Sequence, residues 1–384
     1  MPTVVLSPLN VVNFLEGAGH FWVYMQYALG LRSIGCQVYW LEHIRRNGDP
    51  EAEEARLAGF LARMESFGLG SNVILYSSGE APPAPAVPRD YVGRTRSEAE
   101  AIFASADLLL NFHYTIAPEL LVRFRRTALV DIDPGLLQFW ISRGQLEVPP
   151  HDFYVTTGET VGTTAARFPD CGLEWIRIRP PISLEHWPYT FAPQADAFTT
   201  VSNWDSDDWI VDGDEVYENT KRVAFLEFAN LPRLTDQPLE LALYLRTESD
   251  ARDRRELERR GWSVRHSQEV AGTPELYQEY IQSSRGEFSC AKRSCVRYRN
   301  AWISDRTLCY LASGKPVVVQ DTGPSSYLPN GEGMFRFTSL KESALALEAV
   351  SADYERHSRA ARRIAHTLFD ARRILSDLLG QVLD

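Results

Sequence analysis

Long apolar runs are missing from these 384 residues. No stretch reaches the roughly 18 uninterrupted apolar side chains that a membrane-spanning helix needs, so a spanning helix is excluded. A positive balance is missing too: 40 Lys and Arg stand against 51 Asp and Glu, a net charge of −11. A broad basic surface for nucleic acid is therefore not expected, and an anionic ligand would need a local basic pocket set against the overall field. Cysteine is scarce, with Cys36, Cys171, Cys290, Cys295 and Cys309 in an odd set. Cys290 and Cys295 lack a second pair to complete a zinc site, and a reduced, cytoplasmic protein is the expectation. Val4-Val5-Leu6 is neither preceded by a basic segment nor followed by a small-residue cleavage site, so no export signal is expected. No Gly-x-Gly-x-x-Gly follows any predicted strand, which argues against a nicotinamide dinucleotide site. Repeats at the residue level and extended disordered tracts are also absent.

What is present alternates between β-prone runs and helical periodicity. Strands are expected at 3–6, 38–41, 73–76, 107–112, 127–131 and 153–156, with helices at 20–34, 51–67 and 97–105. A strand–helix–strand unit of this length implies parallel strands and right-handed crossovers. Ala81–Arg89 carries Pro82, Pro83, Pro85 and Pro88 and reads as a loop. Pro180–Pro193, with Trp187 and Tyr189, reads as a stiff connector. A second series follows, with strands at 197–201, 239–244, 263–266, 286–289, 316–320 and 334–337. Helices are expected at 215–229, 250–260, 274–283 and 304–313, and one or two more close the chain. The expected fold is α/β: two Rossmann-like, doubly wound domains facing each other across a cleft. The first spans residues 1–190 and the second 191–355, with residues 356–384 packing back on the first.

Several residues could carry chemistry. His20 follows the glycine loop Gly17-Ala-Gly19 at a helix start, where the dipole would keep an imidazole neutral. General base and backbone-bonded cap are both open for it. Asp131-Ile-Asp133 has the spacing of a metal-binding carboxylate pair, but it runs into Pro134-Gly135, and turn chemistry is the reading taken. Either aspartate could instead orient His20 or touch an acceptor. In the second half, Lys292 and a series of arginines follow the strand containing Glu287. Ser304-Asp305-Arg306-Thr307 then opens a helix whose free amides suit phosphate, with Arg306 as a bidentate partner. Thr200 and Ser202, His266, and Asp321-Thr322 before Gly323 stand at other expected strand ends and complete the candidate anion pocket.

The run from Ser304 to Val319, with Ala312-Ser-Gly-Lys-Pro-Val-Val, resembles the donor-side helix and strand of GT-B glycosyltransferases. Gly19-His20 with its helix and Gly35-Cys-Gln-Val38 is similar to the acceptor-side start of the same group. The resemblance implies a nucleoside-diphosphate sugar, of UDP or dTDP type, held by the second domain as co-substrate. It implies no cofactor, no metal, and transfer to a small-molecule acceptor of natural-product or envelope type, with a homodimer left open. One departure stands out. The glutamate that retaining members place five residues before the glycine is Cys309 here, which leaves Glu287 and Asp305 as carboxylate candidates. A nucleotide-sugar 2-epimerase and a non-catalytic sugar-nucleotide-binding protein are the alternatives.

Overall fold

The computed structural model describes residues 1–46, 48–78, 88, 90–205 and 208–383. It divides into two compact units, each built on its own sheet. Unit 1 comprises residues 1–162, 168–178 and 371–384, and unit 2 comprises residues 163–167 and 179–370.

Unit 1 runs β1 (Thr3–Ser7), α1 (Ala18–Ser33), β2 (Gln37–His43), α2 (Pro50–Ser66), β3 (Val73–Ser77), β4 (Asp90–Val92), α3 (Arg96–Ser105), β5 (Leu108–Asn111), α4 (Pro118–Leu121), β6 (Thr127–Asp131), α5 (Leu136–Ser142), β7 (Phe153–Thr156) and β8 (Trp175–Arg177). The strand order is β4-β3-β2-β1-β5-β6-β7-β8, parallel except for the β3–β4 pair. Strand order reverses between β1 and β5, and at such a switch point the loops leave a crevice beyond the carboxyl ends. The central strands are buried on both faces, as parallel strands covered by helices must be. Val5, Leu41, Ile74 and Leu109 form one layer against Phe103 and Phe124.

Unit 2 runs β9 (Phe198–Asn203), β10 (Trp209–Asp212), β11 (Glu215–Glu218), α6 (Lys221–Glu227), β12 (Leu239–Tyr244), α7 (Glu248–Arg259), β13 (Ser263–His266), α8 (Ser267–Ala271), α9 (Pro274–Ser283), β14 (Gly286–Ser289), α10 (Arg293–Tyr298), α11 (Asp305–Ala312), β15 (Val317–Gln320), β16 (Met334–Phe337), α12 (Leu340–Ala352) and α13 (Tyr354–Leu368). The remaining helix, α14 (Ala371–Leu383), belongs to unit 1. The main sheet of unit 2, β13-β12-β9-β14-β15-β16, is parallel throughout and switches direction between β9 and β14. Its core stacks Phe288 on Phe337 with ring centroids 5.3 Å apart.

The alternation of strands and helices agrees with the sequence reading in most places, and the largest departure is at 215–229. The helix expected over 215–229 is a β-hairpin followed by a short helix. Val211 pairs with Val216 and Asp212 with Glu215 around the Gly213-Asp214 turn. Aspartate and glycine between apolar alternations favour a two-residue hairpin loop, and that local signal outweighs the helix-forming composition further on. Strands β4, β8 and β10 and helices α4, α5, α8 and α10 were not foreseen, and three helices close the chain where one or two were expected. The connector at 180–193 is held within unit 2 from α13: Arg362 donates to the carbonyls of Trp187 and Ala312 at 2.7 and 2.5 Å. Apart from Pro88, the proline-rich 81–89 segment lies outside the described residues.

Candidate functional site

In unit 2 the chemistry gathers at the carboxyl end of β14, beside the switch point. The sequence placed Arg306 there as a phosphate ligand, but the structure gives its guanidinium other work. Nε donates to Glu287 Oε1 at 2.7 Å, Nη1 to the Val201 carbonyl at 2.9 Å, and Nη2 to Ser289 Oγ at 2.5 Å. Arg306 is 5% exposed and Glu287 is fully buried. Burial lowers the guanidinium, but the Glu287 charge and hydrogen bond together with the neighbouring Tyr277 and Tyr310 outweigh it and hold Arg306 above its ordinary range. Two neighbouring strands and α11 are thus pinned from one side chain. The second Glu287 oxygen, Oε2, has no hydrogen-bond partner among the described residues.

Lys221, at the start of α6, was missed by sequence reasoning. The hairpin brings it under the first turn of α11, and its Nζ lies 5.6 Å from the centre of the Trp302 ring. Burial pushes its ammonium down to about 7, the Arg306 charge adds to the fall, and Asp305 opposes it. No oxygen among the described residues accepts a hydrogen bond from Lys221 Nζ. Residue type gave no signal, because a lysine beginning an amphipathic stretch is ordinary. Its placement comes from Asn219, whose amide donates to Asp208 Oδ2 and whose carbonyl oxygen accepts from the Ser294 amide at 2.9 Å. Lys292 closes the same network with a 2.7 Å bond to Asp208 Oδ2.

Ser304 caps α11 without a side-chain cap bond, and both Ser304 and Thr307 are buried. With Ser289, Trp302 and Thr322 they line a cavity of about 20 Å³, room for a single water. The first-turn amides of a helix have no intrahelical acceptor, and half-buried Asp305 stands beside them. Asp321 and Thr322 also shape the loop that follows β15. Asp321 accepts from the Gly323 amide at 2.8 Å and pairs with Arg336 at 2.8 Å, while Thr322 Oγ1 donates to the Trp302 carbonyl at 2.7 Å. Gly323 sits at φ +126, and a Cβ there would lie 2.8 Å from the Arg299 backbone. His266 lies at the end of β13, bonded to Leu245 O at 3.0 Å. Thr200 is fully buried in β9, and Ser202 Oγ donates to Asn203 O at 2.8 Å. Glu287, Lys292, Ser304, Asp305, Arg306, Thr307 and Thr322 therefore come together, whereas Thr200, Ser202, His266 and Asp321 serve strand ends and turns around them. Cys309 is buried and burial drives its thiol far upward, so it offers neither charge nor a hydroxyl-binding carboxylate.

In unit 1, His20 sits in the first turn of α1. Its Nε2–H donates to Leu9 O at 2.6 Å, which in the neutral ring leaves the basic lone pair on Nδ1. The imidazole packs edge-on to Tyr24, 5.1 Å between centroids. Asp131 is fully buried at the end of β6. Its carboxylate accepts from Gln138 and Thr156 at 2.8 Å each, from the Asp133 amide at 3.0 Å, and from the Tyr114 hydroxyl at 3.4 Å. Burial raises it to about 7. A carboxylate holding four protein donors ties the ends of β6 and β7 together. Asp133 is exposed in the turn that follows.

Two parallel sheets, each with a switch-point crevice, define the class: the fold is that of GT-B glycosyltransferases. An α-glucosyltransferase solved in complex with UDP matches with a TM-score of 0.64 at 11% identity, covering 100% of both chains. Anabaena HepE in complex with UDP and glucose matches at 0.58 and 12%, with 99% of each chain covered. The pneumococcal O-GlcNAc transferase GtfA in complex with UDP and GlcNAc matches at 0.59 and 10%, covering 99% of this chain and 98% of that one. No family model and no curated protein matches the sequence. No described helix is long and apolar enough to cross a membrane.

Proposed function

We propose that the chain is a metal-independent glycosyltransferase that takes a UDP- or dTDP-linked sugar on unit 2 and an acceptor hydroxyl on unit 1. The observation that carries the reading is Lys221, a half-buried ammonium with no oxygen partner among the described residues, set within electrostatic reach of Asp305 and Arg306 in the first turn of α11. A cation and converging amides at a strand's carboxyl end suit a diphosphate, and they would stabilise the charge that develops on it as the glycosidic bond breaks. Arg306 and Glu287 act behind this seat as positioning residues, because their charges are already spent on each other. The nucleotide complexes among the fold's relatives support the choice of ligand. His20 Nδ1 is the proposed base for the acceptor hydroxyl. The protein-occupied carboxylate of Asp131 supports transfer without a metal bridge, so activity should persist in excess chelator; strict dependence on manganese or magnesium would reverse that assignment.

Calorimetry with UDP, dTDP and the parent nucleosides tests the seat. Lys221→Ala should weaken diphosphate binding by roughly 10–150-fold, the scale of one charged hydrogen bond, and leave nucleoside binding nearly unchanged. Because only the ammonium form attracts the diphosphate, wild-type affinity should be full below the depressed value near 7 and fall as pH rises through it. Binding should therefore take up a proton. Equal loss for nucleoside and diphosphate, or a flat pH profile between 6 and 8.5, would place the phosphates elsewhere. An epimerised sugar nucleotide formed without acceptor would point to the 2-epimerase reading instead.

A further inference from the structure

Beyond the β1/β5 switch point of unit 1 stands a cluster that the proposed base and donor seat do not use. β2 ends in His43 and continues into Arg45, and β5 ends at Asn111 and continues into His113. Both strands flank β1, so both turns open onto the same crevice. Each turn is clamped by an asparagine. Asn13 donates its Nδ2 to His43 O and accepts from the Arg45 amide through Oδ1, both at 2.9 Å. Asn111 accepts from the His113 amide and donates to the His113 carbonyl, both at 3.0 Å. The imidazoles carry hydroxyl partners, Ser78 Oγ at 2.9 Å from His43 Nε2 and Thr115 Oγ1 at 3.2 Å from His113 Nε2.

No carboxylate among the described residues pairs with this cluster. Arg45 is exposed and makes no ion pair among the described residues. Glu42, the neighbouring acid, gives its oxygens to the Val12 amide at 3.0 Å and Trp40 Nε1 at 2.9 Å. Burial pushes His113 down to about 4, and His43 and Arg45 lower it further. His43 is lowered likewise, by burial and then Arg45. Two imidazoles and one guanidinium are thus held on two clamped turns in a chain of net charge −11, and a bound anion would favour the protonated form of both rings.

We infer that His43, Arg45 and His113, with the Ser78 and Thr115 hydroxyls, form a seat for a phosphoryl group carried by the acceptor. This rests on the glycosyltransferase reading and names the acceptor class as a phosphorylated hydroxy compound. Donors drawn from two separate loops suit a tetrahedral dianion, whose oxygens can accept on several sides. The phosphoryl group anchors the acceptor and takes no part in bond-making.

The test is imidazole NMR on the full chain, titrated with inorganic phosphate while UDP is held saturating so that the donor seat is filled. The ring signals are assigned from His43→Gln and His113→Gln. The expected result is a saturable shift of both rings with a rise in the His113 midpoint. Arg45→Gln should weaken phosphate binding at least 10-fold, with UDP affinity unchanged. In turnover, phosphorylated acceptors should exceed their unphosphorylated parents at least 10-fold in kcat/KM, and Arg45→Gln should shrink that ratio. No shift, an equal shift with acetate, or the same shift in Arg45→Gln overturns the seat. Failure of the wild-type chain to bind UDP would instead overturn the glycosyltransferase reading, whatever the rings do.

Discussion

Arg306→Ala is expected to destabilise the protein by about 3–5 kcal/mol, because it strands the fully buried Glu287 carboxylate without its partner. For a unit of this size that corresponds to a fall in Tm of roughly 6–20 °C. Replacing both partners by apolar residues, as in Arg306→Met with Glu287→Met, should recover most of the loss, since no uncompensated charge is then left inside. Denaturant titration of the three variants separates the terms. Nucleoside and nucleoside diphosphate should lose affinity together in the single variant, to the extent that it remains folded. A stable Arg306→Ala protein with a selective loss of diphosphate would show that the guanidinium leaves Glu287 to bind ligand.

The second large effect concerns His20. If Nδ1 takes the acceptor proton, His20→Ala should lower turnover by roughly 10²–10⁴-fold while UDP binding, measured by calorimetry, stays as in the wild type. The Leu9 carbonyl fixes the tautomer, so His20→Gln, which keeps a donor but no base, should be as inactive as the alanine variant. Wild-type turnover in a folded His20→Ala protein would reduce the residue to a tie between the β1 loop and α1.

Much of the fold is legible in the sequence because buried parallel strands have to be short, apolar and followed by helices. Val73–Ser77 and Val317–Gln320 declare themselves in this way. The β10–β11 hairpin was hidden because its second strand runs into the helix-forming stretch from Lys221 onward, and a window long enough to detect a helix averages the two. Within the site, the Ser304–Thr307 turn was readable from capping chemistry alone. The Arg306–Glu287 pair was not, because 19 residues separate the partners and only the packing of α11 on β14 makes them neighbours. The exposed arginine a phosphate would want and the buried arginine a carboxylate wants are the same letter. Lys221 fails for the converse reason: the sequence marks it as a solvent-facing helix residue, and tertiary structure makes it a site residue.

The helix α14 gives the chain an order of assembly. Ala371 and Leu375 fill the notch above Gly30 of α1, where an added Cβ would lie 2.7 and 2.6 Å from their side chains. Ile374, Leu375, Leu378, Leu379 and Val382 are buried within unit 1. On the ribosome, where chain grows at about 5–20 residues per second, the strands of unit 1 emerge before unit 2, but the side of α1 that meets α14 stays uncovered until α14 has left the exit tunnel. Unit 2 is complete in sequence before that moment. The unit made first is thus the last to close, and for tens of seconds it is the part of the nascent protein that a chaperone would hold.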